Sequence, residues 1–140
     1  MKRLSDKIYN MLNEQIRNEH ESSTLYLTMS QWLDYNGWSG GAKLWKKYSD
    51  EELSHRDKFY SYIQDRDCMP KTLATKEQPI SFDCVKDIAE ASYKHEIQVT
   101  EWIKQISLAS IRLIISNAAV ISPPLLLIHI TILSTSKSLP

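Results

Sequence analysis

Asp50-Glu51-Glu52-Leu53-Ser54-His55 is the stretch on which the fold turns. Glu52 and His55 stand three residues apart, and the series continues outward as Gly41, Trp45 and Tyr48 on one side and Phe59 and Tyr62 on the other. Steps of four and three are the repeat of an α-helix, so these seven residues share one face. Lys43, Lys46, Lys47, Asp50, Arg56, Asp57 and Lys58 mostly take the opposite face, as they would on a surface helix. The aromatic face belongs in a core, yet its centre holds a carboxylate and an imidazole. Taking one ionised carboxylate out of water costs several kcal/mol, so Glu52 needs a partner there.

Two more stripes repeat the anomaly. Over residues 5–35, Ile8, Leu12, Gln15, Glu19, Ser23, Tyr26, Ser30 and Leu33 fall at helical spacing. Ser5-Asp6 can cap the start, and Asn36-Gly37 marks the stop. Over residues 81–110, Val85, Ile88, Ser92, Glu96, Val99, Ile103 and Ile106 do the same. Glu19 and Glu96 sit near mid-stripe, as Glu52 does in the helix expected over 39–67. Only a few residues separate the first two helices, which must therefore form an antiparallel hairpin. Residues 68–80 hold two prolines and no stripe. At ~3.3 Å per residue they reach roughly 43 Å, about the length of the second helix. The link can thus run that whole length and restart at the opposite end, as a crossover.

The predicted class is all-α: a helical domain over 1–110 and an atypical apolar tail over 111–140. The three glycines all fall between Gly37 and Gly41, and no β-type alternation precedes residue 106. A chain of 140 residues is one domain by length. Its net charge of +0 gives no basis for nucleic acid or an anionic membrane as partner. Cys68 and Cys84 are too few and too loosely spaced for a disulfide framework or a zinc knuckle, and suit free thiols in a reducing cytosol. The opening Met-Lys-Arg-Leu-Ser-Asp-Lys has no apolar run behind it, so no secretory signal is expected and the cytoplasm is the expected compartment.

Three helices that each turn a carboxylate inward, with one imidazole, make a metal site of Glu19, Glu52, His55 and Glu96. Oxygen donors with a single nitrogen suit Fe, Mn or Zn rather than Cu. Four-helix carboxylate proteins use one Glu from each of two helices and Glu-x-x-His from each of the other two. Glu19 and Glu96 match the single residues and Glu52/His55 one pair; a second pair is absent. The rival reading has these side chains solvated on the surface of a non-enzymatic bundle. Glu51 lies beside its stripe and Glu14 outside it. Tyr26 and the four tryptophans read as packing residues, and His20 and His95 are expected to point to solvent.

The same residues carry a family resemblance. Leu12-Asn13-Glu14-Gln15, Asn18-Glu19-His20-Glu21-Ser22-Ser23, Leu25-Tyr26, Asp50-Glu51-Glu52-Leu53-Ser54-His55 and Tyr93-Lys94-His95-Glu96 resemble the non-haem bacterial ferritins in order and spacing over about residues 4–106. The resemblance implies a ferritin-like antiparallel bundle and iron as the metal. Glu19, Glu52 and His55 would hold a first iron, with Glu52 bridging to a second that Glu96 also holds. Tyr26 would pack beside this di-iron centre, and Glu51 would match an acidic position near an outer, third iron site. The family oxidises Fe2+ to Fe3+ with oxygen or peroxide, a ferroxidase activity, and stores the mineral in a cage of 24 subunits. Leu53 stands where the bacterioferritins carry their haem-ligating methionine, so no haem is expected.

The tail departs from that family. All seventeen acidic residues lie between Asp6 and Glu101, and residues 107–140 hold only Arg112 and Lys137 as cations beside fifteen Ile, Leu or Val. A ferritin continues with a Glu-rich fourth helix, which such a segment cannot supply. The abrupt change near residues 107–112 has the character of a shifted reading frame, and reading the encoding DNA in another frame should recover a Glu-rich helix. A non-functional product, or an apolar tail that docks a partner or membrane, are the competing outcomes. Residues 113–133 are long enough to span a bilayer, but Asn117, Pro123-Pro124 and His129 stand against it. With the fourth helix missing or replaced, storage and oxidation of iron are expected to be impaired.

Overall fold

A computed structural model describes residues 4–116, with side chains as far as Arg112. Among these residues there are three helices and no strand: α1 (Asp6–Tyr35), α2 (Ser39–Gln64) and α3 (Val85–Ser116). Ser5 caps α1, its hydroxyl accepting from the Ile8 N–H at 3.3 Å. The end of α1 is set by Gly37 at φ +83. Its N–H bonds the Asp34 carbonyl at 3.0 Å, and the Trp38 N–H reaches the Leu33 carbonyl at 2.8 Å, the paired bonds of a Schellman stop.

The second helix ends at Gln64 rather than running on to 67, because the same device recurs. Asp67 takes φ 54, with Asp67 N–H to Gln64 O at 3.0 Å and Cys68 N–H to Ile63 O at 3.3 Å. The third helix starts at Val85 instead of 81, its first bonds going to the Cys84 carbonyl, and it continues past 110 to Ser116. The expected tail over 111–140, and the frame change expected near 107–112, therefore begin inside α3; residues from 117 onward, which include most of the shifted-frame segment and of the membrane-like stretch, lie outside those described. No helix among the described residues is long and apolar enough to cross a membrane.

The connection over residues 65–84 tracks α1 from end to end. Tyr9 donates its hydroxyl to the Met69 carbonyl at 2.6 Å, the Lys71 N–H bonds Asn13 Oδ1 at 2.6 Å, and the Lys76 N–H bonds Glu21 Oε1 at 3.0 Å. Phe82 then packs edge-on against Trp32, ring centres 6.1 Å apart. The crossover delivers α3 to the far end of the hairpin, so α2 and α3 both run antiparallel to α1 and parallel to each other.

All eight stripe residues of α1 are buried. The core they build is in two parts. Ile8, Leu12, Ile16, Phe59, Tyr62, Ile63, Val99, Ile103, Ile106 and Ala109 fill one end. Tyr26, Met29, Leu33, Ala42 and Ile88 fill the other. Between the two lies a layer where buried positions are polar: Gln15, Glu19, Ser22, Ser23, Ser49, Glu52, His55 and Ser92. Trp38 is 56% exposed, not packed in the core, since it stands in the turn just beyond Gly37. Outward on α3, Tyr93, Ile97, Leu108 and Ile111 are also exposed.

Candidate metal centre

Helical geometry puts Glu52 and His55 on one face of α2, one turn apart, and the antiparallel register of the hairpin sets Glu19 of α1 opposite both. All three are buried, Glu19 with no exposed surface. One ligand atom from each lies within 4.8 Å of the other two. His55 Nδ1 is 3.3 Å from Glu52 Oε2 and 3.8 Å from Glu19 Oε2. Gln15 Nε2, one turn earlier on α1, donates to Glu19 Oε1 at 2.7 Å. Glu19 Oε2 is buried and has no hydrogen-bond partner. With both carboxyls ionised such an atom is an anomaly in a folded chain; a proton shared with Glu52 meets it when the site is empty, and a cation would meet it otherwise.

The electrostatics match that picture. Burial, and then the adjoining Glu52 carboxyl, push Glu19 well above the usual carboxylate range. Burial lifts Glu52 to about 7, with the charges of Glu96 and Glu51 adding to it and Glu19 acting the other way. His55 is depressed by burial, against the pull of Glu19, and so stays neutral with a lone pair to offer. Left alone, the cluster holds protons; a polyvalent cation would take their place.

The remaining expected residues stand around this trio. Glu96 of α3 is half-buried and its Oε1 accepts a hydrogen bond from the Tyr26 hydroxyl, while its charge is felt at Glu52. Tyr26 is buried, and burial followed by Glu96 raises its hydroxyl far above the ordinary phenol value. Glu51 is half-exposed and pairs with Lys47 at 3.6 Å. Glu14 faces outward and pairs with Arg17.

His95 departs from expectation. It does not face solvent: its Nε2 is 2.6 Å from Ser22 Oγ on α1, and its ring lies edge-on to Tyr26 and Trp102 at 5.8 and 6.3 Å. A ring wedged between two aromatics leaves the aqueous side, and burial lowers its basicity. Three more polar ties join the helices in this layer and at its edge with the Tyr26 cluster. Ser23 and Ser49 hydroxyls meet at 3.0 Å between α1 and α2, Ser30 bonds the Ala42 carbonyl at 2.7 Å, and Trp45 Nε1 donates to Ser92 Oγ at 2.9 Å between α2 and α3. The available signal was positional. Ser22 and Ser23 follow Glu19 by one turn, and Ser49 and Ser92 precede Glu52 and Glu96 by one turn.

Comparison with known proteins agrees with this architecture. A family model described as a ferritin-like domain matches residues 9–109. The chain is 31% identical over 103 residues to a probable bacterial non-heme ferritin-like protein of Haemophilus influenzae, covering 74% of this chain and 62% of that one. It is 30% identical over 108 residues to a bacterial non-heme ferritin of Escherichia coli, covering 76% and 65% respectively. The fold matches an open-pore ferritin of Archaeoglobus fulgidus with a TM-score of 0.76 at 30% identity, over 78% of this chain and 67% of that one. The chain thus spans a little under two thirds of the length of the curated relatives it matches.

Proposed function

The chain belongs to the ferritin-like domain family, and on that premise we propose that it takes up iron as substrate and cargo, oxidising Fe(II) at a di-iron centre and contributing to ferric storage. Glu19, Glu52 and His55 hold the first ion in this reading. Glu52 bridges to a second, which Glu96 also holds, and Glu51 serves an outer site. The observation that carries it is the buried trio with donor atoms within 4.8 Å, one carboxylate oxygen of which has no partner. Hard oxygen donors with a single imidazole nitrogen fit Fe(II) well.

Electrons pass from iron to oxygen or peroxide; the chain's own part is positional and acid–base. Glu19 and Glu52 surrender their protons as iron arrives, and neutral His55 needs to surrender none. Gln15 holds Glu19 through Oε1 and leaves Oε2 turned to the site. Tyr26 restrains Glu96 through its hydroxyl. No haem takes part, since Leu53 offers no ligand. Action in the cytoplasm belongs to the same proposal, and assembly into the family's cage of 24 copies is impaired along with storage.

The domain division belongs here too: residues 1–110 form the iron-binding unit and 111–140 supply no carboxylate to its ligand set, having no acidic residue. Oxidation and storage are accordingly impaired relative to a chain with a carboxylate-bearing fourth helix. Anaerobic titration of the full chain with Fe(II), with bound iron counted by mass spectrometry, tests the reading. At least one ion per chain, lost in Glu19→Gln and in Glu52→Gln, is expected. No bound iron at neutral pH would overturn it.

A further inference from the structure

We propose that His95 is a positioning residue for Glu96: together with Ser22 it sets the rotation of α3, so that the adjoining carboxylate is aimed at the Glu19/Glu52/His55 trio. The inference rests on the iron-binding reading above and adds to it a residue that is not itself a ligand.

One arrangement satisfies both groups. The Ser22 hydroxyl lies 2.8 Å from the Asn18 carbonyl, which can only accept, and donates there. The contact at 2.6 Å with His95 is in that arrangement an Nε2–H donated to Ser22 Oγ. This defines the imidazole tautomer and strings α3 to the backbone of α1 through one side-chain oxygen. Tyr26 and Trp102 stand edge-on to the ring, limiting its swing.

One residue further along α3, Glu96 is held by Tyr26, which lies one turn beyond Ser22 on α1. Consecutive residues point about 100° apart around a helix of 3.6 residues per turn. A single tie between α1 and α3 would set the height of α3 and leave it free to roll. Two ties from adjacent residues, received by α1 at positions one turn apart, fix both. Glu96 is only half-buried and could otherwise rotate outward to water, where a carboxylate is better solvated. Ile88 on one side and Val99 and Ile103 on the other seat α3 in the two apolar clusters, and the two polar ties set its register on α1 in the layer between them.

The test is a double-substitution cycle on the full chain, read as cobalt(II) affinity from the visible absorption of the bound ion. Glu96→Gln is expected to weaken binding. His95→Ala should weaken it about tenfold, within the range found when a residue supporting a metal ligand is lost. His95→Gln, whose amide can donate to Ser22, should restore most of the affinity. Ser22→Ala removes the acceptor with little loss of packing and should behave as His95→Ala does, which keeps the test decisive if the larger truncation unfolds. In the Glu96→Gln background, His95→Ala should have no further effect. Equal losses from His95→Ala with Glu96 present and absent, or no loss at all, would overturn the positioning role. Unchanged binding in Glu96→Gln would instead remove Glu96 from the ligand set, and this inference with it.

Discussion

Glu52 shows most directly how one residue couples the fold to its task. Its carboxyl is held at about 7, above the ordinary value for a free glutamate, so the neutral form is the one the apo fold prefers. Stability from that preference is complete below the free glutamate value of 4.5 and is lost progressively as pH rises from there through about 7. At ~1.4 kcal/mol per pH unit, ionising Glu52 costs the apo fold on the order of 3 kcal/mol. We therefore expect the metal-free chain to melt at a lower temperature at pH 8 than at pH 6, and Glu52→Gln to remove much of that difference, as followed by circular dichroism. Metal affinity runs the other way. Protons compete for Glu19 and Glu52, so affinity should fall steeply from pH 7.5 to 5.5, and binding should release protons measurable in weakly buffered solution. Affinity independent of pH over that range would contradict the assignment. Glu19, Glu52 and His55 were legible in the chain because they interrupt apolar stripes. His95 was not, since helical phase alone places it off the stripe; only the tertiary approach of Ser22 draws it inward. Gln15 was visible as a stripe residue, but its hold on Glu19 depends on side-chain conformations that no spacing reports.

Helix boundaries were legible where a glycine marks them and obscure where another residue takes the same conformation. Asn36-Gly37 reads as a stop, whereas Asp67 at φ 54 gives no compositional warning, and α2 ends at Gln64, short of the expected 67. Gly37→Ala should destabilise the chain by about 1 kcal/mol. No atom lies within 4 Å of the added carbon, so that loss is backbone strain alone, and denaturant melting would measure it. The crossover was predictable because extended-chain length and helix length are fixed by covalent geometry. Its path along α1 was not, since it depends on contacts such as Tyr9 with Met69 and Asn13 with Lys71. The start of α3 was expected at 81, while the first helical bonds go to the carbonyl of Cys84.

At the scale of the molecule, a bundle that closes around the trio still exposes Tyr93, Ile97, Leu108 and Ile111 along one helix. Apolar surface in that arrangement favours association. We expect the isolated chain to self-associate at micromolar concentration and to oxidise iron slowly, by light scattering and by aerobic iron uptake. A monodisperse 24-subunit particle filling rapidly with iron would contradict that expectation. The fold class was legible because three amphipathic stripes, a short turn and a long link leave few arrangements. How copies would associate was not, because contacts between copies leave no periodicity in a single chain.

The claim on which everything rests is that Glu19, Glu52 and His55 converge in a dry interior to meet a cation. Its most direct test is the stoichiometry of Fe(II) bound anaerobically at pH 7.5, in the parent chain and in the Glu19→Gln/Glu52→Gln pair. The account predicts at least one tightly held ion per parent chain and none in the double variant, which should fold and be more stable without metal. Binding that survives both substitutions, or is missing from the parent, would contradict it.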